Sequence, residues 1–132
     1  HNNFKMSWQE YVDNNMVGTG QIARGAILGL DGGGSVWAKS PDLNITDAEV
    51  KTLVKSVQDP SKLFESGIHL NGTKYMTLQA DGEQIIGKKG PKGMCCYKSD
   101  KALLLGEYEG AQPGDANKVV GQLADYLKSV GY

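Results

Sequence analysis

A chain of 132 residues with two cysteines fits one domain that folds without a disulfide or a metal. Its net charge of −1 excludes a general nucleic-acid binder, which needs an excess of Lys and Arg to track phosphates. No apolar run approaches the roughly 18 residues of a membrane span, and 18 glycines point to short strands joined by tight turns.

The chain opens on His1 to Lys5, ahead of Met6, which reads as a natural initiator. Residues 1–5 are therefore read as a leader left by an expression vector, and residues 6–132 as a single domain. The polar start carries no signal-peptide pattern, so a cytoplasmic location is expected.

Ser7-Trp8-Gln9-Glu10 has the form of a capping box and predicts a helix to about Val17, ended by Gly18 and Gly20. Trp8, Tyr11, Val12, Asn15 and Met16 share one face of it. Two strand-like runs follow, Ile22 to Leu30 and Ser35 to Ala38, joined by Asp31-Gly32-Gly33-Gly34 as a hairpin. Thr46-Asp47-Ala48-Glu49 is a second capping box. It opens a helix with Val50, Leu53, Val54 and Val57 as its apolar stripe. Asp59-Pro60 starts a short helix stopped by Gly67, with Leu63 and Phe64 expected to pack inward.

From Ile68 the period changes to two. Strands are predicted over Ile68–Leu70, Lys74–Gln79, Glu83–Ile86, Met94–Lys98 and Ala102–Tyr108. The turns Asn71-Gly72 and Asp81-Gly82 make these an antiparallel meander, with a Gly/Lys loop before Met94. A last helix runs from about Asp115 to Val130, with Val119, Val120, Leu123, Leu127 and Val130 as its stripe. With no strand–helix–strand alternation, the fold class is α+β.

Catalysis and metal binding find no support. His69 is the only histidine outside the leader and reads as a strand residue at the surface. Cys95 and Cys96 are neighbours on a strand, so they point to opposite faces and cannot clamp one ion; they read as reduced thiols, one of them buried. No catalytic or metal residue and no cofactor is assigned. Two phosphate-loop imitations also fail. Gly82 to Lys88 fits the start of a Walker A pattern, but Lys89 stands where Ser or Thr must hold magnesium. Gly18 to Ala23 fits a dinucleotide fingerprint, but it leaves a helix and enters a strand, the reverse of what that chemistry needs.

Two features remain. Trp8, Tyr11, Tyr126 and Tyr132 sit near the chain ends, and Trp37 on the hairpin can join them. If the terminal helices lie side by side, these rings line a shallow groove suited to a polyproline II ligand. The other reading of the same residues is core filling. The stretch Lys88-Lys89-Gly90-Pro91-Lys92-Gly93 with Lys98 carries four lysines and no acid. It suits an acidic protein surface or anionic lipid headgroups, or else it is a solvated turn.

Taken together, these features resemble profilin. Met6 to Asp13 is similar to the N-terminal helix of that family, and Ser35-Val36-Trp37-Ala38 to its second strand. Ile85 to Gly90 resembles a segment of plant profilins, and Gly114 to Tyr132 the C-terminal helix. The short loops resemble plant, fungal and protist members. The resemblance implies a central antiparallel sheet of about six to seven strands. The N- and C-terminal helices would lie on one face and two short helices on the other. It implies an adaptor, not an enzyme, that binds monomeric actin, promotes nucleotide exchange on it and brings it to proline-rich proteins such as formins. Phosphoinositide membranes are a further implied partner. A monomer in the cytoplasm at the actin cytoskeleton, with no nucleic-acid partner, completes the expectation.

By position, the resemblance assigns Trp8, Tyr11, Trp37, Tyr126, Leu127 and Tyr132 to the polyproline groove. It assigns Lys74, Lys88, Lys89, Gly114, Asn117, Lys118 and Gln122 to actin, and Lys88, Lys89 and Lys92 to phosphoinositides. The chain carries Tyr126 and Gln112 where vertebrate members have histidines, and Gln122 where an acid can stand. The alternative is a small-molecule sensor of PAS-like architecture, which would place its aromatics around an internal cavity.

Overall fold

A computed structural model describes residues 6–132. The leader expected at residues 1–5 lies outside the described residues. The elements are α1 (Trp8–Asn15), β1 (Arg24–Gly29), β2 (Ser35–Lys39), α2 (Asp47–Lys55), α3 (Ser61–Ser66), β3 (Ile68–Leu70), β4 (Thr73–Ala80), β5 (Gln84–Lys89), β6 (Lys92–Lys98), β7 (Ala102–Glu109) and α4 (Pro113–Ser129). Seven strands form one antiparallel sheet in the order β2-β1-β7-β6-β5-β4-β3.

Local signals account for the element ends. Both capping boxes form. Ser7 Oγ accepts from Glu10 N at 3.1 Å while Glu10 Oε1 accepts from Ser7 N at 2.9 Å. Thr46 and Glu49 repeat the exchange at 3.1 and 3.0 Å. Each cap satisfies donors that the first helical turn leaves open, and contributes about 1 kcal/mol. Asn71 and Gly72 both take positive φ, 52° and 75°, which the expected two-residue hairpin requires.

The helices cover the sheet from both sides. On the first face, α1 packs on β1 and β2, and α4 on β6 and β7. Val12, Met16, Val120, Leu123 and Leu127 bury there against Ile27, Cys95, Leu104 and Tyr108. On the second face, Val50, Leu53, Val54 and Leu63 of α2 and α3 cover Leu28, Tyr75, Met94, Cys96 and Leu105. Successive side chains of a central strand therefore both reach a core, and Cys95 and Cys96 are both buried, not one alone.

Other expectations change for physical reasons. Phe64 does not pack inward; it is 56% exposed, because α3 is only six residues long and turns a single side chain, Leu63, to the sheet. Val130 follows the last turn of α4 as its cap and is exposed, and Val57 lies beyond the end of α2. The Gly/Lys loop is mostly strand: Lys88 and Lys89 end β5, Lys92 begins β6, and only Gly90 and Pro91 turn between them.

One buried polar group was not legible in the sequence. The Glu107 side chain is 2% exposed, with Arg24 Nε at 2.8 Å, the Tyr75 hydroxyl at 2.5 Å and Asn71 Nδ2 at 3.2 Å. Arg24 also faces Asp42 at 3.6 Å, and Asn71 Oδ1 accepts from Asn44 N at 2.9 Å. A buried carboxylate is tolerated only when paired and hydrogen-bonded, and here three distant segments supply its partners while a fourth, at Asp42 and Asn44, holds two of those partners in place. Burial, then the hydrogen bond to Glu107, raises the Tyr75 pKa.

Candidate functional site: an aromatic groove and a bare sheet face

The first face carries two surfaces. Where α1 and α4 run side by side, the Trp8 ring lies 4.7 Å from Trp37, 5.9 Å from Tyr11 and 5.0 Å, edge-on, from Tyr132. Tyr11 in turn stands 6.2 Å from Tyr126. The sequence-predicted aromatics are thus all brought together. Trp8, Tyr11, Trp37 and Tyr132 are half-buried, Tyr126 is 49% exposed, and Leu127 lies beneath them, 1% exposed. Met6, Trp8, Tyr11, Tyr126, Leu127 and Tyr132 line an open groove of about 370 Å3.

The fold positions each ring. The capping box sets the first turn of α1, and Gln9 Nε2 donates to Lys39 O at 2.9 Å, tying that turn to β2. Trp37 lies over Gly29; a Cβ there would stand 2.2 Å from its Nε1, so only glycine leaves room for the indole. Tyr132 is held by its backbone. Its carbonyl accepts from Lys101 N at 2.5 Å and Ser99 Oγ at 2.8 Å, and its N–H donates to Leu127 O at 2.8 Å. Lys101 Nζ stands 5.6 Å over its ring. The Tyr11 pKa is raised, by burial first and then by the neighbouring Tyr126 hydroxyl, so the Tyr11 phenol remains a protonated donor at neutral pH.

The second surface lies where α4 stops covering the sheet. Met76 pairs with Lys88 and His69 with Lys74, so these side chains share the first face beyond α4. Met76 is 69% exposed on this face; at the adjoining sheet edge Leu78, in a bulge of β4, is 54% exposed and Phe64, on α3, 56%. Phe64, Lys74 and Met76 border a shallow cavity of about 350 Å3 between α3 and β4. Among the residues expected at actin, Lys74 and Lys88 stand on this face. Gly114, Asn117 and Lys118 lie on the first turns of α4, with Gln122 one turn further. Asn117 Oδ1 is buried with no partner among the described residues. Lys88 Nζ donates to Gly90 O at 3.1 Å and lies 5.7 Å over the Tyr108 ring.

The three lysines expected at phosphoinositides are not brought to one face. Lys88 pairs with Gly93, beside Tyr108 on the first face. Lys89 and Lys92 pair with each other and, by the alternation of a strand, point to the opposite side. They are held on an ordered hairpin rather than a flexible loop.

Comparison with known proteins decides the family. The profilin family model matches residues 6–132. Profilin-1A of Acanthamoeba castellanii is 46% identical over 128 residues, 96% of this chain and 100% of the relative. The chain belongs to the profilin family. The solved structure of Acanthamoeba castellanii profilin IA superposes with a TM-score of 0.90 at 45% identity, covering 96% of this chain and 100% of that one. The fold extends to mouse profilin IIa, solved in complex with a double repeat from the FH1 domain of mDia1. There the TM-score is 0.76 at 24% identity, over 96% and 100% of the two chains.

Profilins are actin-binding adaptor proteins that bind proline-rich segments, and they are not enzymes. The PAS-like alternative is not supported. The aromatics of this profilin line an open groove between the terminal helices instead of an internal cavity.

Sequence reading missed the apolar members of the second surface. Phe64 was expected inside, and Met76 and Leu78 are two apolar residues in a strand that alternation alone assigns to a core. The signal available was their neighbourhood, since Lys74 precedes Met76 by two and shares its face.

Proposed function

We propose that this profilin holds proline-rich segments in the groove of Trp8, Tyr11, Trp37, Tyr126 and Tyr132, over a floor of Leu127. The actin monomer is met by Lys74, Lys88, Lys89, Gly114, Asn117, Lys118 and Gln122. The exposed Phe64, Met76 and Leu78 supply the apolar centre that a mostly charged patch lacks. Engagement of both ligands brings actin monomers to proline-rich proteins such as formins and favours nucleotide exchange on them. Lys88 on one face of the hairpin, with Lys89 and Lys92 on the other, meets phosphoinositides by charge alone. The protein acts as a monomer in the cytoplasm, at the actin cytoskeleton.

The observation that carries the groove is the gathering of five rings, none of them fully buried, four of which line one open cleft with Trp37 packed behind Trp8. A polyproline II segment has no internal hydrogen bonds, so its carbonyls are free to accept from indole N–H and phenol O–H groups. Its proline rings stack on the aromatic faces without losing backbone freedom, because the helix is already formed.

Trp8 touches three of the other four rings and is the anchor. Trp8→Ala is expected to weaken a proline-rich peptide about thirtyfold, equivalent to about 2 kcal/mol, with the circular dichroism of the fold retained. Titration of tryptophan fluorescence reads this, since Trp37 still reports in the variant. Wild-type affinity in Trp8→Ala removes the groove from the ligand's path.

A further inference from the structure

The groove does not end at Tyr126. Past the Tyr11–Tyr126 pair, a second cavity of about 370 Å3 continues between α1 and α4. Met6, Tyr11 and Tyr126 line both cavities, so the two adjoin at the paired phenols and form one cleft. The chemistry changes across that junction. On the first side are aromatic faces; on the second, Val119 and Leu123 lie low in the cleft while the amides of Asn14, Asn15 and Gln122 stand exposed on the rim.

The spacing of the rings limits how many residues they serve. Along Trp37, Trp8, Tyr11 and Tyr126 the centroids are 4.7, 5.9 and 6.2 Å apart. Two residues of polyproline II rise about 6 Å, so the row accommodates at most about six residues, fewer where the path crosses from Tyr11 on α1 to Tyr126 on α4. A longer ligand that follows the cleft must enter the second cavity, where no further ring awaits a proline. Amide side chains donate and accept hydrogen bonds, whereas proline has no N–H to give them. A seventh proline can only accept from that rim through its carbonyl, whereas a residue with a backbone N–H or a polar side chain also donates to the amide oxygens.

We propose that the cavity of Asn14, Asn15 and Gln122 is a second subsite of the groove, reading polar, non-proline residues that flank the proline run of the ligand. This subsite rests on the groove reading above. It gives the protein a means of choosing among proline-rich partners whose proline runs are alike. Gln122 also stands among the residues assigned to actin, so the flank of the ligand lies beside the actin surface while the proline run stays clear of it.

Three synthetic peptides test the subsite: a proline hexamer, the hexamer with Gln-Ser added at its N-terminus, and the hexamer with Gln-Ser added at its C-terminus. They are titrated into the wild type and into the double variant Asn14→Ala/Asn15→Ala, both positions exposed and well served by alanine on a helix. One of the extended peptides is expected to bind the wild type about fivefold tighter than the hexamer, the gain from one or two net hydrogen bonds. The double variant is expected to lose that gain and keep the affinity for the hexamer. Extended peptides no tighter than the hexamer, or a double variant that weakens all three alike, overturns the subsite while leaving the groove intact. Failure of all three peptides to bind the wild type overturns the groove and the subsite together.

Discussion

Tyr132 shows how much a single residue's role depends on separating its ring from its backbone. As a helix-ending residue after Gly131 it is expected to fray. Instead its carbonyl closes on Lys101 N and Ser99 Oγ, and its N–H on Leu127 O. Removing the residue altogether would open those bonds and cost stability. Tyr132→Ala keeps them and deletes only the ring that meets Trp8 edge-on. It is expected to lower proline-peptide affinity about five- to tenfold, or 1–1.4 kcal/mol. Thermal unfolding should shift by only a few degrees. A large fall in melting temperature at unchanged affinity assigns the ring to the core instead. Gly29 makes the complementary point, because it acts by having no side chain. Gly29→Ala places a methyl group within the Trp37 indole, so the ring must lift from β1 or the strand must shift. The near-ultraviolet circular dichroism of the tryptophans is expected to change, with a loss of peptide affinity of about fivefold or more. A variant unchanged in both would mean that Trp37 takes no part in the groove. Neither the Tyr132 anchoring nor the Gly29 seat is legible in the sequence: Lys101 and Ser99 lie more than thirty residues from Tyr132, and the seat depends on a register shift in the β1–β2 hairpin that leaves Trp37 out of the pairing.

At the scale of elements, caps and turns were legible because their chemistry is local: Ser7 with Glu10, Thr46 with Glu49, Asn71 with Gly72. What covers a strand was not, because alternation identifies two faces without saying whether helices lie over both. In β6 this decides the state of three successive side chains. Burial on the second face pushes up the Cys96 thiol, and burial on the first raises Cys95 to about 12 from an ordinary value of 9.0. Burial raises the Tyr97 phenol as well. The fold favours the protonated forms, so above pH 9 the unfolded chain binds fewer protons than the native one. Stability from these groups is therefore complete below about pH 8.5 and falls as pH climbs from 9 toward 12. Urea midpoints measured across that range should decline, and Cys95→Ala should make the decline shallower. An unchanged slope in that variant would show that the Cys95 thiol does not carry its share. The same ordered strands correct the reading of the lysine stretch. Lys88 and Lys89 point to opposite sides because they occupy successive positions of β5, a fact that a Gly/Lys composition disguises as a loop.

For the whole molecule, the order of helices and strands followed from periodicity, and the placement of the terminal helices on one face followed from the profilin resemblance. The Glu107 cluster did not, because its partners come from β1, β4, the β3–β4 turn and the segment after β2. Nor did the bare part of the first face. It exists because α4 covers β6 and β7 and stops short of β4 and β5, which leaves Met76 and Lys88 open. The two proposed ligand surfaces consequently lie apart, with Lys74 and Lys88 on the same face of the sheet as the groove and Lys89 on the other. Lys118 and Tyr126 are both exposed on α4, eight residues or about 12 Å apart along the axis. Separate surfaces are what an adaptor needs, since it must hold both ligands at once. The most direct measurement is the affinity of the proline hexamer for the wild-type protein with and without saturating monomeric actin. Equal affinities within about twofold are predicted, because the hexamer occupies only the ring row. Displacement of the hexamer by actin would contradict two separate surfaces and place both ligands on one.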